Sequence, residues 1–177
     1  MSPHLEKIRT KAERLTRDMS PEQWCTAPKG KWCTSEIFEH LLLTFTATTK
    51  GTLNAMQAGQ PLCREVRWRD RVGKFYVVGL GIFPRGMQAP KQTVPRQGLG
   101  DEALRRFNDA LVAMDSTLSD AERRFGARTR ILDHPSLGPL TAQEWRRFHR
   151  VHADHHFRQV AARRNQTGVH KATVQSA

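Results

Sequence analysis

Cysteine is scarce in this chain, which has three in 177 residues. Cys25, Cys33 and Cys63 are an odd number, and no two of them have C-x-x-C spacing. A disulfide framework needs a dense, even set of cysteines, and a cysteine-ligated zinc site needs closely spaced pairs. The sequence therefore argues against a disulfide framework and against a cysteine-ligated zinc site. It favours a reducing compartment, so we expect the protein to be cytoplasmic.

Long apolar runs are also missing. The longest nearly apolar run, residues 75–83, contains two glycines and is too short to span a bilayer. The first 20 residues are charged throughout and lack the apolar stretch of a secretory signal. From these two absences we expect no membrane partner.

Acidic side chains are few, since 17 Asp and Glu stand against 29 Lys and Arg, for a net charge of +12. Residues 62–100 carry eight basic and two acidic side chains, and residues 141–177 carry seven and two. Such an excess can steer phosphates or nucleic acid towards the protein, or it can be a solvated basic surface. Because no nucleic-acid-binding motif accompanies the charge, we expect a small-molecule substrate and not nucleic acid as the partner.

Four segments have the three-and-four spacing of apolar residues that is typical of amphipathic helices. They cover about residues 3–19, 34–59, 101–126 and 141–165. The expected N-terminal caps are Thr34 or Ser35, Asp101 and Thr141, and Thr141 with Glu144 matches the capping box. The sequence predicts an all-α fold, a four-helix bundle with a long crossover between its second and third helices.

The crossover, residues 62–100, is rich in glycine and has no helical stripe. We expect irregular structure there, with residues 66–68 and 75–78 able to form short extended pieces. The chain length suits one domain, which we assign to residues 1–165. Residues 166–177 are polar, and we expect a frayed tail.

The last predicted helix carries four of the chain's eight histidines. At 100° per residue, His149, His152 and His156 fall on one stripe together with aromatic residues, and His155 lies at its edge. This is the face that a helix normally buries, and a buried imidazole without a partner is costly. Several imidazoles on that face indicate either a hydrogen-bond network or a metal ion.

His152 and His156 are four residues apart, so their rings can converge on one ion. A useful site needs at least a third protein ligand, and His40 is the one histidine inside the second predicted helix. Taken alone, His40 fits a hydrogen-bonded core histidine better than a metal ligand. Gln159, one turn after His156, is a candidate to orient that ring.

Three further residues near these histidines have open roles. His149 and His155 can orient a ligand, contact substrate or simply pack. Glu36, one turn before His40, can support that ring or favour the start of its helix.

The order of these residues resembles that of a known superfamily. The pattern comprises Trp32, Ser35, His40 and Leu41, then His152, His155, His156 and Gln159. It looks like the DinB-like four-helix-bundle superfamily, and residues 134–145 are similar to a branch described mainly as a domain of unknown function. The chain departs at Phe157 and Arg158, where many relatives have Arg-Gly.

The resemblance implies one divalent ion, bound by His40, His152 and His156. Zn²⁺ or Ni²⁺ suits such imidazole ligands best. Characterised relatives include transferases and an isomerase that use low-molecular-weight thiols, and dimers are common among them. A homodimer and a thiol co-substrate are therefore implied for this chain as well.

These inferences lead to a metal-dependent enzyme of thiol-transferase or hydrolase type, with no catalytic side chain assigned. The alternative is a noncatalytic metal-binding protein of the same superfamily that acts in stress response or as an interaction partner.

Overall fold

The computed structural model describes residues 1–83, 88–96 and 98–174, with side chains described as far as residue 164. Helices account for 66% of the chain and strands for 6%, so the fold is mainly α. The helices are α1 (Pro3–Thr16), α2 (Pro21–Cys25), α3 (Thr34–Gln57), α4 (Trp68–Lys74), α5 (Glu102–Phe125) and α6 (Ala142–Val174). The strands are β1 (Arg130–His134) and β2 (Gly138–Thr141).

The helices α1, α3, α5 and α6 lie where the apolar spacing predicts them. The α3 helix packs against α5, and α1 packs against α6, with further contacts between α3 and α6. Their shared core is aromatic: Phe38 contacts Phe107 and Phe157, with ring centroids 5.0 and 6.0 Å apart. Two long histidine-bearing helices are thereby held side by side.

The capping box at the start of α6 is confirmed. Thr141 N donates to Glu144 Oε2 at 2.9 Å, and Glu144 N donates to Thr141 Oγ1 at 3.2 Å. Asp101 is the N-cap residue of α5, as expected, but its side chain makes no cap hydrogen bond.

The start of α3 also differs from the prediction. The residue before the helix is Cys33, whose backbone N–H donates to Glu36 Oε2 at 2.7 Å. The hydroxyls of Thr34 and Ser35, expected as caps, are buried and have no hydrogen-bond partner among the described residues. The helix start is therefore held by a carboxylate from its own first turn.

The expectation of an all-α fold is corrected by a hairpin that sequence analysis missed. The strands β1 and β2 are antiparallel, with His134 opposite Gly138 and Arg130 opposite Thr141. They are five and four residues long, and the register shifts between Arg130 and Leu132, so no clean alternation marks them in the sequence. The hairpin leads directly into α6 and sets where that helix begins.

The crossover is also more regular than expected. Residues 66–68 and 75–78 were candidates for extended structure, but Trp68 begins α4, and Phe75–Gly79 is a π-helical turn that continues it. A second short helix, α2, starts at Ser20, whose hydroxyl accepts a hydrogen bond from Gln23 N at 3.3 Å. Local capping chemistry forms α2 where the sequence indicated only a break.

The α6 helix extends beyond residue 165, where we expected it to end, and continues to Val174. The boundary between a domain of residues 1–165 and a frayed tail of residues 166–177 stays a prediction, since residues 175–177 lie outside the described part. Among the described residues, none of the helices combines the length and the apolar character that crossing a bilayer requires.

Candidate metal centre

Three histidines from two helices meet in the interior. His40 comes from α3, and His152 and His156 come from successive turns of α6. The Nε2 atom of His152 lies 3.2 Å from His40 Nε2 and 3.1 Å from His156 Nε2. His40, His152 and His156 are 3%, 6% and 7% exposed, respectively, so all three residues are buried. We call these residues the histidine triad.

The proton on His40 is fixed by the backbone of the crossover. His40 Nδ1 lies 2.8 Å from the carbonyl oxygen of Thr93, in the 3₁₀ turn Lys91–Thr93. A carbonyl oxygen only accepts, so Nδ1 must be the donor in this bond. In the neutral ring, Nε2 then carries a lone pair that is directed towards the triad.

Gln159 plays the corresponding part for His156. Its Oε1 lies 3.0 Å from His156 Nδ1, and its Nε2 lies 3.3 Å from His155 Nε2. With the amide oriented this way, Gln159 accepts from His156 Nδ1–H, which leaves a lone pair on His156 Nε2. The triad therefore receives lone pairs from both of its outer rings.

His152 lies between these two lone pairs and cannot satisfy both of them well. Its Nδ1 is buried without a hydrogen-bond partner among the described residues. If Nε2 of His152 carries the proton, one N–H is shared by two acceptors and Nδ1 is left unpaired. If Nδ1 carries the proton, three lone pairs face one another. A cation bound by all three Nε2 atoms removes the conflict in the second case.

The distances fit such a cation. Tetrahedral Zn²⁺ with Zn–N bonds of its usual length places neighbouring ligand nitrogens about 3.3 Å apart. The observed Nε2 separations of 3.2 and 3.1 Å are close to this value. The ligand atoms of His40, His152 and His156 all lie within 4.8 Å of one another, so the three residues form a possible metal site.

Burial keeps the three imidazoles in the form that binds metals. It lowers the pKa of His40, and it is the main reason that the pKa of His156 falls to about 3. The pKa of His152 is lowered well below its ordinary value by burial and then by the neighbouring His156 and His40 rings. A metal binds neutral imidazole, so no proton has to be removed at neutral pH.

A cavity of about 480 Å³ lies against the triad. Aromatic rings cover the triad within it: Phe83 stacks on His152 at 5.1 Å, Trp32 contacts His40 at 5.0 Å, and Phe148 stacks on His152 at 5.5 Å. Two cations, Lys31 and Arg163, also line it, whereas none of its described lining residues is acidic. The cavity offers a ligand apolar walls, positive charge and access to the triad.

The remaining candidates lie around the triad and not within it. His149 is fully buried, with Nε2 3.0 Å from Thr48 Oγ1 and its ring stacked on Trp145. His155 lines the cavity and contacts Gln159. Glu36 accepts a hydrogen bond from the N–H of Cys33, so it favours the start of the helix.

Two contributors to the site were missed by sequence analysis. The Thr93 carbonyl is a backbone group in an irregular connection, and no pattern of side chains in the sequence predicts its contact with His40. Phe83 lies at the end of the apolar run 75–83, which sequence analysis considered only for its length, and it contacts His152 in the folded chain.

Comparison with known proteins gives one family and no individual relative. Neither the curated proteins nor the solved structures yielded a match. A family model with the description "Protein of unknown function (DUF1569)" matches residues 3–163. The match spans every element from α1 to the triad-bearing part of α6. The chain therefore belongs to the DUF1569 family.

Proposed function

We propose that the protein is an enzyme that depends on one divalent metal ion, held by His40, His152 and His156. The observation that carries the proposal is the convergence of three buried Nε2 atoms, two of which have their lone pairs fixed by Thr93 and Gln159. Without an ion, this arrangement leaves buried acceptors facing one another, which is costly. Zn²⁺ or Ni²⁺ is the ion that three imidazoles suit best.

We further infer that the fold is a four-helix bundle of the DinB-like type, formed by α1, α3, α5 and α6. Support comes from the packing of α3 on α5 and α1 on α6 and from ligands on facing helices, which is where bundles build metal sites. The hairpin and α4 are then additions between the bundle helices.

A divalent ion in this site would supply Lewis acidity, which lowers the pKa of a thiol or a water and polarises an electrophile. The protein's own groups prepare the site for that chemistry. Thr93 and Gln159 keep protons on the outer nitrogens of His40 and His156, so the inner nitrogens stay free to bind. Phe83, Trp32 and Phe148 cover the rings and limit the entry of water.

The cavity favours transfer of a thiol over hydrolysis. Hydrolysis usually employs a general base, and no carboxylate lines the described cavity wall. Of the three imidazoles in the wall outside the triad, His134 and His149 are weak bases, because burial lowers their pKa to about 4 and about 3, which leaves His155 as the one candidate base among the described lining residues. A thiol needs only ionisation, and Lys31 and Arg163 suit a co-substrate that carries a carboxylate. A small, partly apolar acceptor would fill the aromatic part.

Metal analysis of purified protein tests the ligand assignment. We expect about one Zn²⁺ or Ni²⁺ per chain in the unaltered protein and loss of the ion from a His152→Ala, His156→Ala double variant. His155→Ala is the matched control, because it removes a neighbouring imidazole on the same helix that is not in the triad. Equal metal content in all three proteins would reject the site.

Activity is tested separately on metal-loaded protein. Low-molecular-weight thiols are offered together with a small electrophile, and thiol consumption is compared with hydrolysis of model esters and amides. We expect consumption of thiol that the double variant lacks. A loaded protein that consumes no thiol and hydrolyses nothing would favour the noncatalytic alternative.

A further inference from the structure

The outward side of α4 and its π-helical turn is apolar. Residues 68, 72, 75 and 76 have the i, i+4, i+7, i+8 spacing that places side chains on one helix face. The exposed fractions on this face are 70% for Trp68, 47% for Val72, 60% for Phe75 and 50% for Tyr76, and Leu80 and Ile82, which follow the π-helical turn in the chain, are each 54% exposed. We call these six side chains the α4 stripe. An exposed apolar patch of this kind marks an interaction site.

The α4 helix and its π-helical turn, which carry most of the stripe, are held in place by contacts on their inner side. On the opposite side of α4, Asp70 is buried and receives two hydrogen bonds from Arg64, at 2.6 and 2.8 Å. Lys74 Nζ donates to the carbonyl oxygen of Pro139 at 2.9 Å, and Val77 and Val78 are buried in the core. Because the inner face is fixed, turning the stripe inward would break these contacts. Its partner has to come from outside this chain's own core.

A basic groove of about 740 Å³ lies beside the stripe and shares Phe75 with it. Its cationic lining residues are Arg71, Lys74, Arg130 and Arg147. The one acid in its wall, Glu144, is already held by Lys74 at 3.1 Å and by Thr141 N at 2.9 Å. Burial and the charges of four cations, including Arg147, lower the pKa of His4 at its edge. The groove therefore has a positive potential that attracts anions.

We propose that the α4 stripe and the basic groove attach the protein to the surface of an anionic lipid bilayer. Tryptophan, tyrosine and phenylalanine beside arginine are the side chains that settle at the boundary between headgroups and acyl chains. The stripe enters the apolar side of that boundary. The arginines of the groove contact lipid phosphates, which are negatively charged.

Charge favours lipid over a second copy of this chain. Of the two carboxylates in residues 62–83, Asp70 is paired with Arg64. Glu65 is then the remaining negative charge in this segment, and it is outnumbered by the positive charges of Arg67, Arg69 and Arg71. A two-fold contact through the stripe would bring these like-charged flanks together, which opposes association. An anionic surface meets the same flanks with attraction.

Side-chain type favours lipid over single-stranded nucleic acid. Bases bind by stacking on aromatic rings, and half of the stripe consists of Val72, Leu80 and Ile82, which offer no stacking surface. All six side chains can enter a lipid interface. The expectation of no membrane partner rested on the lack of a spanning segment, and a helix that lies in the interface needs none.

Co-sedimentation of the whole protein with vesicles tests the proposal. Vesicles of equal parts phosphatidylglycerol and phosphatidylcholine are compared with vesicles of phosphatidylcholine alone. We expect binding to the former that weakens as salt is raised. Trp68→Ser with Phe75→Ser should weaken binding about tenfold or more, and Arg71→Gln should weaken it about fivefold.

The matched control is Leu53→Ser with Val112→Ser, which removes two exposed apolar side chains from α3 and α5. We expect this variant to bind vesicles as the unaltered protein does. Equal binding by the Trp68, Phe75 variant would overturn the proposal, as would equal binding to both kinds of vesicle. Two results would assign the stripe to another partner: a dimer in ultracentrifugation that the Trp68, Phe75 variant abolishes, or displacement from vesicles by single-stranded DNA.

Discussion

The α6 and α4 helices depart from the usual distribution of side chains in opposite directions. On α6, the imidazoles of His149, His152 and His156 are buried among aromatic rings. On α4, the rings of Trp68 and Phe75 are exposed. In both cases the side chain is in the environment that costs it the most free energy.

The buried imidazoles of α6 and the exposed rings of α4 need different kinds of partner. A buried polar group needs a partner within bonding distance, and the histidine triad leaves room for an ion and little else. An exposed apolar group needs only a surface that excludes water, whatever its detailed shape. We therefore expect α6 to be sensitive to the removal of single atoms and α4 to be sensitive mainly to total apolar area and charge.

Removal of the ion tests the α6 half of this comparison and should have the largest effect. A ligand present at about 1,000 times its Kd stabilises a fold by about 4 kcal/mol, so chelation should lower the thermal midpoint clearly. The His152→Ala, His156→Ala variant should show no further fall on chelation. Calorimetry with and without chelator measures both, and an unchanged midpoint in the unaltered protein would contradict the metal site.

Gly138→Ala tests the contacts that hold α4 against the hairpin. We expect it to lower the free energy of unfolding by about 3 kcal/mol. Gly138 has φ +68°, and an added Cβ would lie 2.5 Å from Asp70 Oδ2, an atom that Arg64 holds in place. Gly30→Ala is the matched control, because Gly30 has φ +72° but nothing within 4 Å of the added atom. Urea unfolding of both measures the difference. Equal losses would show that the close approach to Asp70 carries no cost.

Gln159→Leu sharpens the claim that single atoms matter on α6. The change removes the acceptor of His156 Nδ1–H, so metal affinity should fall about 10- to 100-fold while the three ligands remain. Gln92→Leu, also in the cavity wall, should leave metal affinity unchanged. Competition with a chromophoric chelator gives both affinities, and a normal affinity for Gln159→Leu would remove that residue from the site.

The smallest effect is expected for Trp68→Ser. Because Trp68 is 70% exposed, its replacement should change the free energy of unfolding by no more than about 0.5 kcal/mol. Trp24→Ser, at a tryptophan that is 4% exposed, should cost about 3 kcal/mol or more. If Trp68→Ser were equally costly, the stripe would belong to the folded core and would not be free to bind a surface.

The parts of the fold that sequence predicted are those whose signal is local. The Thr141 to Glu144 capping box acts within four residues, and the apolar stripe of α5 repeats over six turns. The α4 helix was missed although Trp68, Val72, Phe75 and Tyr76 have helical spacing, because this pattern is short. The helix is seven residues long and continues only as a π-helical turn of five residues. The β1–β2 hairpin escaped because its strands are short and carry a register shift.

The candidate site divides in the same way. His152 and His156 follow from their spacing on one helix, whereas the approach of His40 depends on how α3 and α6 pack. From its own position in the sequence, His40 was better explained as a core histidine than as a ligand. Gln159 could be predicted from the sequence because it is one helical turn from His156. The contact between Phe83 and His152 joins the crossover to α6, and only the folded chain brings the two together.

The group that orients His40 is a main-chain oxygen, which every amino acid possesses. Exchanging the side chain at position 93 therefore leaves the acceptor in place, and scanning that position with alanine would overlook it. What the contact does require is a chain path of the right length between α4 and α5. Insertions or deletions there would displace a buried contact, even though many of the described residues of that connection are exposed.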